Sequence, residues 1–107
     1  MGQYPSDIVL KEIKNFDIAQ RDIDELIDLI ENEWEFSECG FNYKRKYDGF
    51  RTLELHTFGW SGNEDIILAL KQNFGFWSCF WRKSEAGGHY YFRVKDIRKD
   101  MEGYKNG

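Results

Sequence analysis

The segment Thr57-Phe58-Gly59-Trp60-Ser61-Gly62-Asn63-Glu64 constrains the fold of this chain more than any other. Residues Phe50 to Phe58 ahead of it read as a strand, and Ile66, Ile67, Leu70 and Phe74 behind it recur at helical spacing. Ser61 followed by Glu64 has the form of a capping box, in which the glutamate reaches back to the Ser61 N–H. Asp65 adds an acid where the helix dipole favours one. The pattern predicts a strand turning into a helix that ends near Asn73, through glycines and with an indole at the joint. A backbone of that kind can present N–H groups and an aromatic face to a ligand.

The remaining elements follow from periodicity and breakers. Ser6 caps a helix through about Lys14, with Ile8, Val9 and Ile13 as its apolar contacts, and Asn15-Phe16 ends it. Asp17, with Gln20 at the third helical position, starts a second helix whose apolar face is Ile23, Leu26, Ile27, Ile30 and Trp34. Its opposite face carries Asp24, Glu25, Asp28, Glu31 and Glu35, and Cys39-Gly40 breaks it. Phe41 to Tyr47 alternates as a strand, and Asp48-Gly49 is a two-residue hairpin signal. That turn pairs Tyr47 with Phe50, Arg45 with Thr52, Tyr43 with Glu54 and Phe41 with His56. Phe76–Trp81 and His89–Val94 read as two further strands around a Ser84–Gly88 turn. Trp77, Cys79, Trp81, Tyr90, Phe92 and Val94 then face the core, and Phe76, Phe80, Arg82, His89, Tyr91, Arg93 and Lys95 face away.

These elements predict an α+β fold in the order α-α-β-β-α-β-β, a mainly antiparallel four-stranded sheet with helices packed on one face. A chain of 107 residues reads as a single small domain. Residues 6–36 form its acidic helical part, 41–95 its core and 96–107 a C-terminal tail. Nine Phe, six Tyr and four Trp supply the apolar area for that core and leave a surplus of rings that points to an oligomer.

Several classes are disfavoured. No apolar run is long enough to span a membrane, and the first residues lack the basic and apolar regions of a secretory signal. Gly2 with Ser6 is a faint myristoylation signal without a polybasic neighbour. Cys39 and Cys79 lack motif spacing and read as reduced, partly buried thiols of a cytoplasmic protein, a disulfide between them being the less favoured alternative. Cys39, His56, Cys79 and His89 have zinc-ligand chemistry but no short-spaced pair, so neither a metal nor another cofactor is expected. A Cys–His dyad among the same residues, with Cys79 on the buried face, does not make an enzyme of the chain.

Charge is the functional signal. Residues 1–38 hold three basic and eleven acidic side chains (−8), whereas residues 39–107 hold twelve basic and eight acidic (+4). Asp24, Asp28, Glu31 and Glu35 are therefore candidates for an acidic face that meets a basic protein groove. Trp60, Ser61, Gly62, Asn63, Arg82 and His89 are the alternative, a pocket for a nucleotide-like signal molecule. The ring and guanidinium mixture of Phe76, Phe80, Tyr91, Arg82 and Arg93 is a weaker alternative, a single-stranded nucleic-acid platform, and the net charge of −4 disfavours nucleic acid.

Between Leu53 and Phe92 the chain also resembles a group of small uncharacterised proteins of phage and prophage genomes. The resemblance rests on Leu53-Glu54-Leu55, the Thr57–Glu64 segment, Ile67-Leu68-Ala69-Leu70, Phe76-Trp77, Trp81 and Gly87-Gly88-His89-Tyr90-Tyr91-Phe92. The chain departs from the group's pattern at Phe58, where that pattern has glycine, and at Glu85-Ala86, where it has paired arginines. The resemblance implies an accessory protein acting in the cytoplasm of a host bacterial cell. Together with the acidic face, it leads to the expectation of a non-enzymatic, anti-CRISPR-like inhibitor of a bacterial defence protein.

Overall fold

The computed structural model describes residues 5–45 and 49–98. Helix α1, Asp7–Asn15, begins at the expected cap, with the Ser6 hydroxyl accepting the Val9 N–H at 3.2 Å. Ile13 is its fully buried residue, Val9 and Leu10 pack at the core's edge, and Ile8 faces solvent instead of the core. Helix α2, Ile23–Glu33, starts later than the capping-box reading placed it. Asp17 caps only a single turn, its carboxylate accepting the Ala19 N–H and its carbonyl those of Gln20 and Arg21. That turn buries Phe16 and Ile18 on either side of Asp17, and Asp22 then caps the helix through the Asp24 N–H. A short helix α3, Ser37–Gly40, follows.

Four strands, β1 Phe41–Arg45, β2 Arg51–His56, β3 Trp81–Glu85 and β4 His89–Val94, form one antiparallel sheet in the order β1-β2-β4-β3. The β1–β2 register differs by one residue from the expected one: Phe41 lies opposite Leu55, Tyr43 opposite Leu53 and Arg45 opposite Arg51. Burial explains the difference. A slip of one residue flips a whole strand's side chains across the sheet, and the expected pairing would have set Leu53 and Leu55 among lysines. The observed register joins both leucines, which are fully buried, to Phe41 and Tyr43. Tyr47 and Asp48 of the expected turn lie outside the described residues, as do the first four residues and the C-terminal tail beyond Arg98. Ile97 packs against the core, and Arg98 bridges Asp96 and Asp22.

The third expected strand is the main correction. Helix α4, Ser61–Gln72, is followed at once by a second helix, α5, Phe74–Phe80, and β3 begins only at Trp81. Asn73 makes this corner. Its side-chain oxygen accepts the Phe76 N–H, and its amide donates to the carbonyls of Ile13 and Phe16 at 2.9 Å each. The α1 C-terminus is thereby tied to the α4–α5 junction. Helical spacing puts Phe76 and Phe80 in the core and turns Cys79 out to solvent, the reverse of the strand reading. Helices cover one face of the sheet, where Leu53, Leu55, Phe92 and Val94 are buried with the helical core residues. Among the described residues, no helix lies over the other face, which carries Thr52, Glu54, His56, His89, Tyr91 and Arg93.

Candidate functional site

The acidic helix face divides in two. Asp24 points toward the sheet, where it accepts the Tyr43 hydroxyl at 2.8 Å and pairs with Arg45 at 3.1 Å and Arg51 at 3.2 Å. The Arg51 nitrogen nearest Asp24 is buried and misaligned for a hydrogen bond, so that contact is charge pairing. Burial of Tyr43, and then its bond to Asp24, push its phenol above the ordinary value of 10.0, Arg51 offsetting part of the shift. The folded state therefore holds the Tyr43 proton more tightly than the unfolded state does. The resulting stability is fully present below about pH 10 and is lost as pH rises beyond it. Tyr43→Phe is expected to shallow the fall of Tm with alkaline pH, and an equal slope in both proteins would remove Tyr43 as its source.

Asp28 and Glu31 face solvent with Glu25. Glu35 follows α2 in a turn whose backbone is held by Asn63: the Asn63 oxygen accepts the Glu35 N–H at 2.9 Å and its amide donates to the Glu35 carbonyl at 3.0 Å. Residues 22–43 contain eight acids and no base. At the end of this acidic run, Phe36 and Phe58 are both about half exposed and meet edge to face at 6.2 Å. Each has a positive φ, 61° and 54°. That conformation is unfavourable for a bulky side chain. The Trp60 N–H bonds to the Thr57 carbonyl, so Phe58 and Gly59 occupy the centre of a turn with positive φ at both positions. Such a turn suits Gly, Asn or Asp at its first central position, and Phe58 is the exception here.

The six residues of the alternative pocket lie on three elements: Trp60 to Asn63 at the start of α4, Arg82 on β3 and His89 on β4. Trp60, not Ser61, is the N-cap of α4; it makes no side-chain cap, and Glu64 accepts from the Thr57 hydroxyl instead of the Ser61 N–H. Gly62 is buried, and a side chain there would meet the Trp60 indole nitrogen at 3.0 Å and the Pro5 ring at 3.2 Å. Asn63 is fully buried with its amide committed to Glu35 and the Thr57 carbonyl. The start of α4 is thus packed against its own chain at Gly62 and Asn63.

His89 meets His56 rather than Trp60. The two lie opposite each other on β2 and β4, their Nδ1 atoms 2.7 Å apart, so one ring donates and the other accepts. Glu54 stands 3.6 Å from the far nitrogen of His56. Beside them, Gly88 packs against Thr57 so closely that a Cβ would overlap the threonine hydroxyl. Arg82 is exposed at the irregularity in β3 and lines a shallow cavity of about 330 Å³ with Thr52, Glu54, Tyr91 and Arg93. Phe76 and Phe80, assigned to a ring platform, are instead in the core.

Cys39 and Cys79 are free and exposed, which corrects the expectation of partly buried thiols. Among the described residues no group of three or more His, Cys, Asp and Glu side chains is arranged to hold a metal, and no helix is long and apolar enough to cross a membrane. Compared with models of known protein families, with curated proteins and with solved structures, the chain has no match.

Sequence reasoning missed the Asp24 hub, the histidine pair and the two phenylalanines. The strand position of His56 could have flagged the pair only in the correct register. Phe58 before Gly59 was a legible signal, because a bulky residue stood where a turn calls for glycine.

Proposed function

We propose that the protein acts by binding, as a non-enzymatic inhibitor whose acidic α2–α3 surface occupies the basic groove of a bacterial defence protein that handles nucleic acid. The supporting observation is the run of eight acids without a base over residues 22–43, in which Glu25, Asp28, Glu31 and Glu38 are exposed and Phe36 meets Phe58. Charges arrayed along a helix and the turn after it offer the repulsive and attractive pattern of a phosphate backbone. Two half-exposed rings beside them supply an apolar anchor, the kind of residue that carries most of an interface's affinity. Resemblance to phage accessory proteins supports a site of action inside the host cell.

Reversing Glu25, Asp28 and Glu31 to lysine tests this reading, because none of the three is needed by the core. The triple variant is expected to keep the wild-type circular dichroism, with a small loss of melting temperature from the exposed Arg21–Glu25 pair, while losing the protein that wild type retains from bacterial lysate. Retention of the same protein by both, at equal yield, would end the acidic-face reading.

A further inference from the structure

We propose that the sheet face over which no described helix lies binds single-stranded nucleic acid, a function separate from the acidic surface. Strand alternation places Lys44 on this face from β1, Thr52, Glu54 and His56 from β2, and His89, Tyr91 and Arg93 from β4. Lys83 and Glu85 join them from β3, with Arg82 at its irregularity and Lys95 just past β4. Among the described residues, the charged members are five basic (Lys44, Arg82, Lys83, Arg93, Lys95) and two acidic (Glu54, Glu85), a local +3 in a chain of net −4. Both acids are engaged on the face itself: Glu85 accepts the Tyr91 hydroxyl at 2.8 Å and lies 3.7 Å from Lys83, and Glu54 faces His56.

Rings and cations are interleaved here. The Arg93 guanidinium lies 4.0 Å from the Phe50 ring centroid with Lys95 at 5.2 Å, and Lys83 lies 5.0 Å from that of Tyr91. Guanidinium groups and rings are the side chains on which unstacked bases stack, and ammonium groups are those that meet phosphates. The cations extend from β1 to β3, roughly 14 Å across four strands at about 4.8 Å spacing. That spread suits successive phosphates of a strand better than the single phosphate cluster of a free nucleotide. Among the described residues, no helix or ribbon projects from this face to enter a duplex groove.

The test is fluorescence anisotropy with labelled oligothymidylate and oligouridylate of about 12 nucleotides, a length within the usual span of single-strand sites. Three phosphate contacts at about −0.7 each give a log–log salt slope of about −2, an affinity loss of about fifteen-fold from about 50 to about 200 mM salt. Combined Arg82→Ala and Arg93→Ala should lower affinity at least ten-fold and flatten that slope. Tyr91→Phe should bind like wild type, and Tyr91→Ala, checked for an unchanged melting transition, should lose about 5- to 150-fold. The Glu25, Asp28 and Glu31 reversal should leave this binding intact, so failure of the acidic-face reading and failure of this one are distinguishable. No binding up to about 100 µM, the weak end of non-specific affinity, would overturn the proposal. So would equal affinity for a duplex, equal competition by thymidine monophosphate, or indifference to loss of both arginines.

Discussion

Replacing Phe76 by alanine is expected to lower the free energy of unfolding by about 4 kcal/mol, within the range for deleting a buried aromatic ring. The ring is fully buried, with its centroid 5.3 Å from those of both Phe80 and Phe92. It therefore joins α5 to β4 across the middle of the core, and truncation leaves a cavity between a helix and a sheet that cannot both close over it. In a strand over Phe76–Trp81, the same side chain would sit on the open face, and its loss would cost within about 0.5 kcal/mol. Urea unfolding separates the two, because a lower midpoint at unchanged slope reports lost stability alone. Cys79→Ala is the internal control: its thiol is exposed in the helix and should change little. A large loss at Cys79 with little at Phe76 would restore the strand.

That segment was illegible for a physical reason. Phe74-Gly75-Phe76-Trp77-Ser78-Cys79-Phe80 is rich in aromatic residues that favour strands and holds a glycine that disfavours helix. A run this short cannot be assigned by periodicity alone. What decides it is Asn73, whose amide reaches the carbonyls of Ile13 and Phe16 far away in sequence. Nothing local announces that contact. By contrast, the Ser6 cap and the Ile23, Leu26, Ile27, Ile30 stripe depend on local spacing, and both stand as read. The hairpin lies between these cases. Its strands were legible, but loop length set the register, and only burial of Leu53 and Leu55 shows which pairing holds. The candidate sites follow the same division. A helix face of acids is a local pattern, whereas which of those acids the sheet consumes depends on where β1 and β2 lie.

Asp24→Ala is accordingly expected to cost about 3 kcal/mol, near the lower bound for breaking a buried ion pair, because Asp24 keeps some contact with water. Its side chain is 30% exposed and that of Arg51 only 14%, so alanine strands the Arg51 guanidinium beneath α2. The Tyr43 hydroxyl loses its acceptor in the same step, which adds the cost of a half-buried polar group without a partner. Arg45 contributes little to this sum, since its side chain is 68% exposed and water screens its bridge. Asp24→Asn keeps an acceptor for the tyrosine while removing the charge, and should fall between alanine and wild type. Asp28→Ala, on the solvent side of the same helix, should stay within about 0.5 kcal/mol of wild type. Chemical denaturation of the three variants decides whether Asp24 belongs to the fold or to a partner. Equal, small losses at Asp24 and Asp28 would return Asp24 to the binding face. The expected gap makes Asp24 a strut between α2 and the sheet, and a reversal at that position would abolish binding by unfolding the protein. Exposed acids such as Glu25, Asp28 and Glu31 can then report on the acidic surface itself.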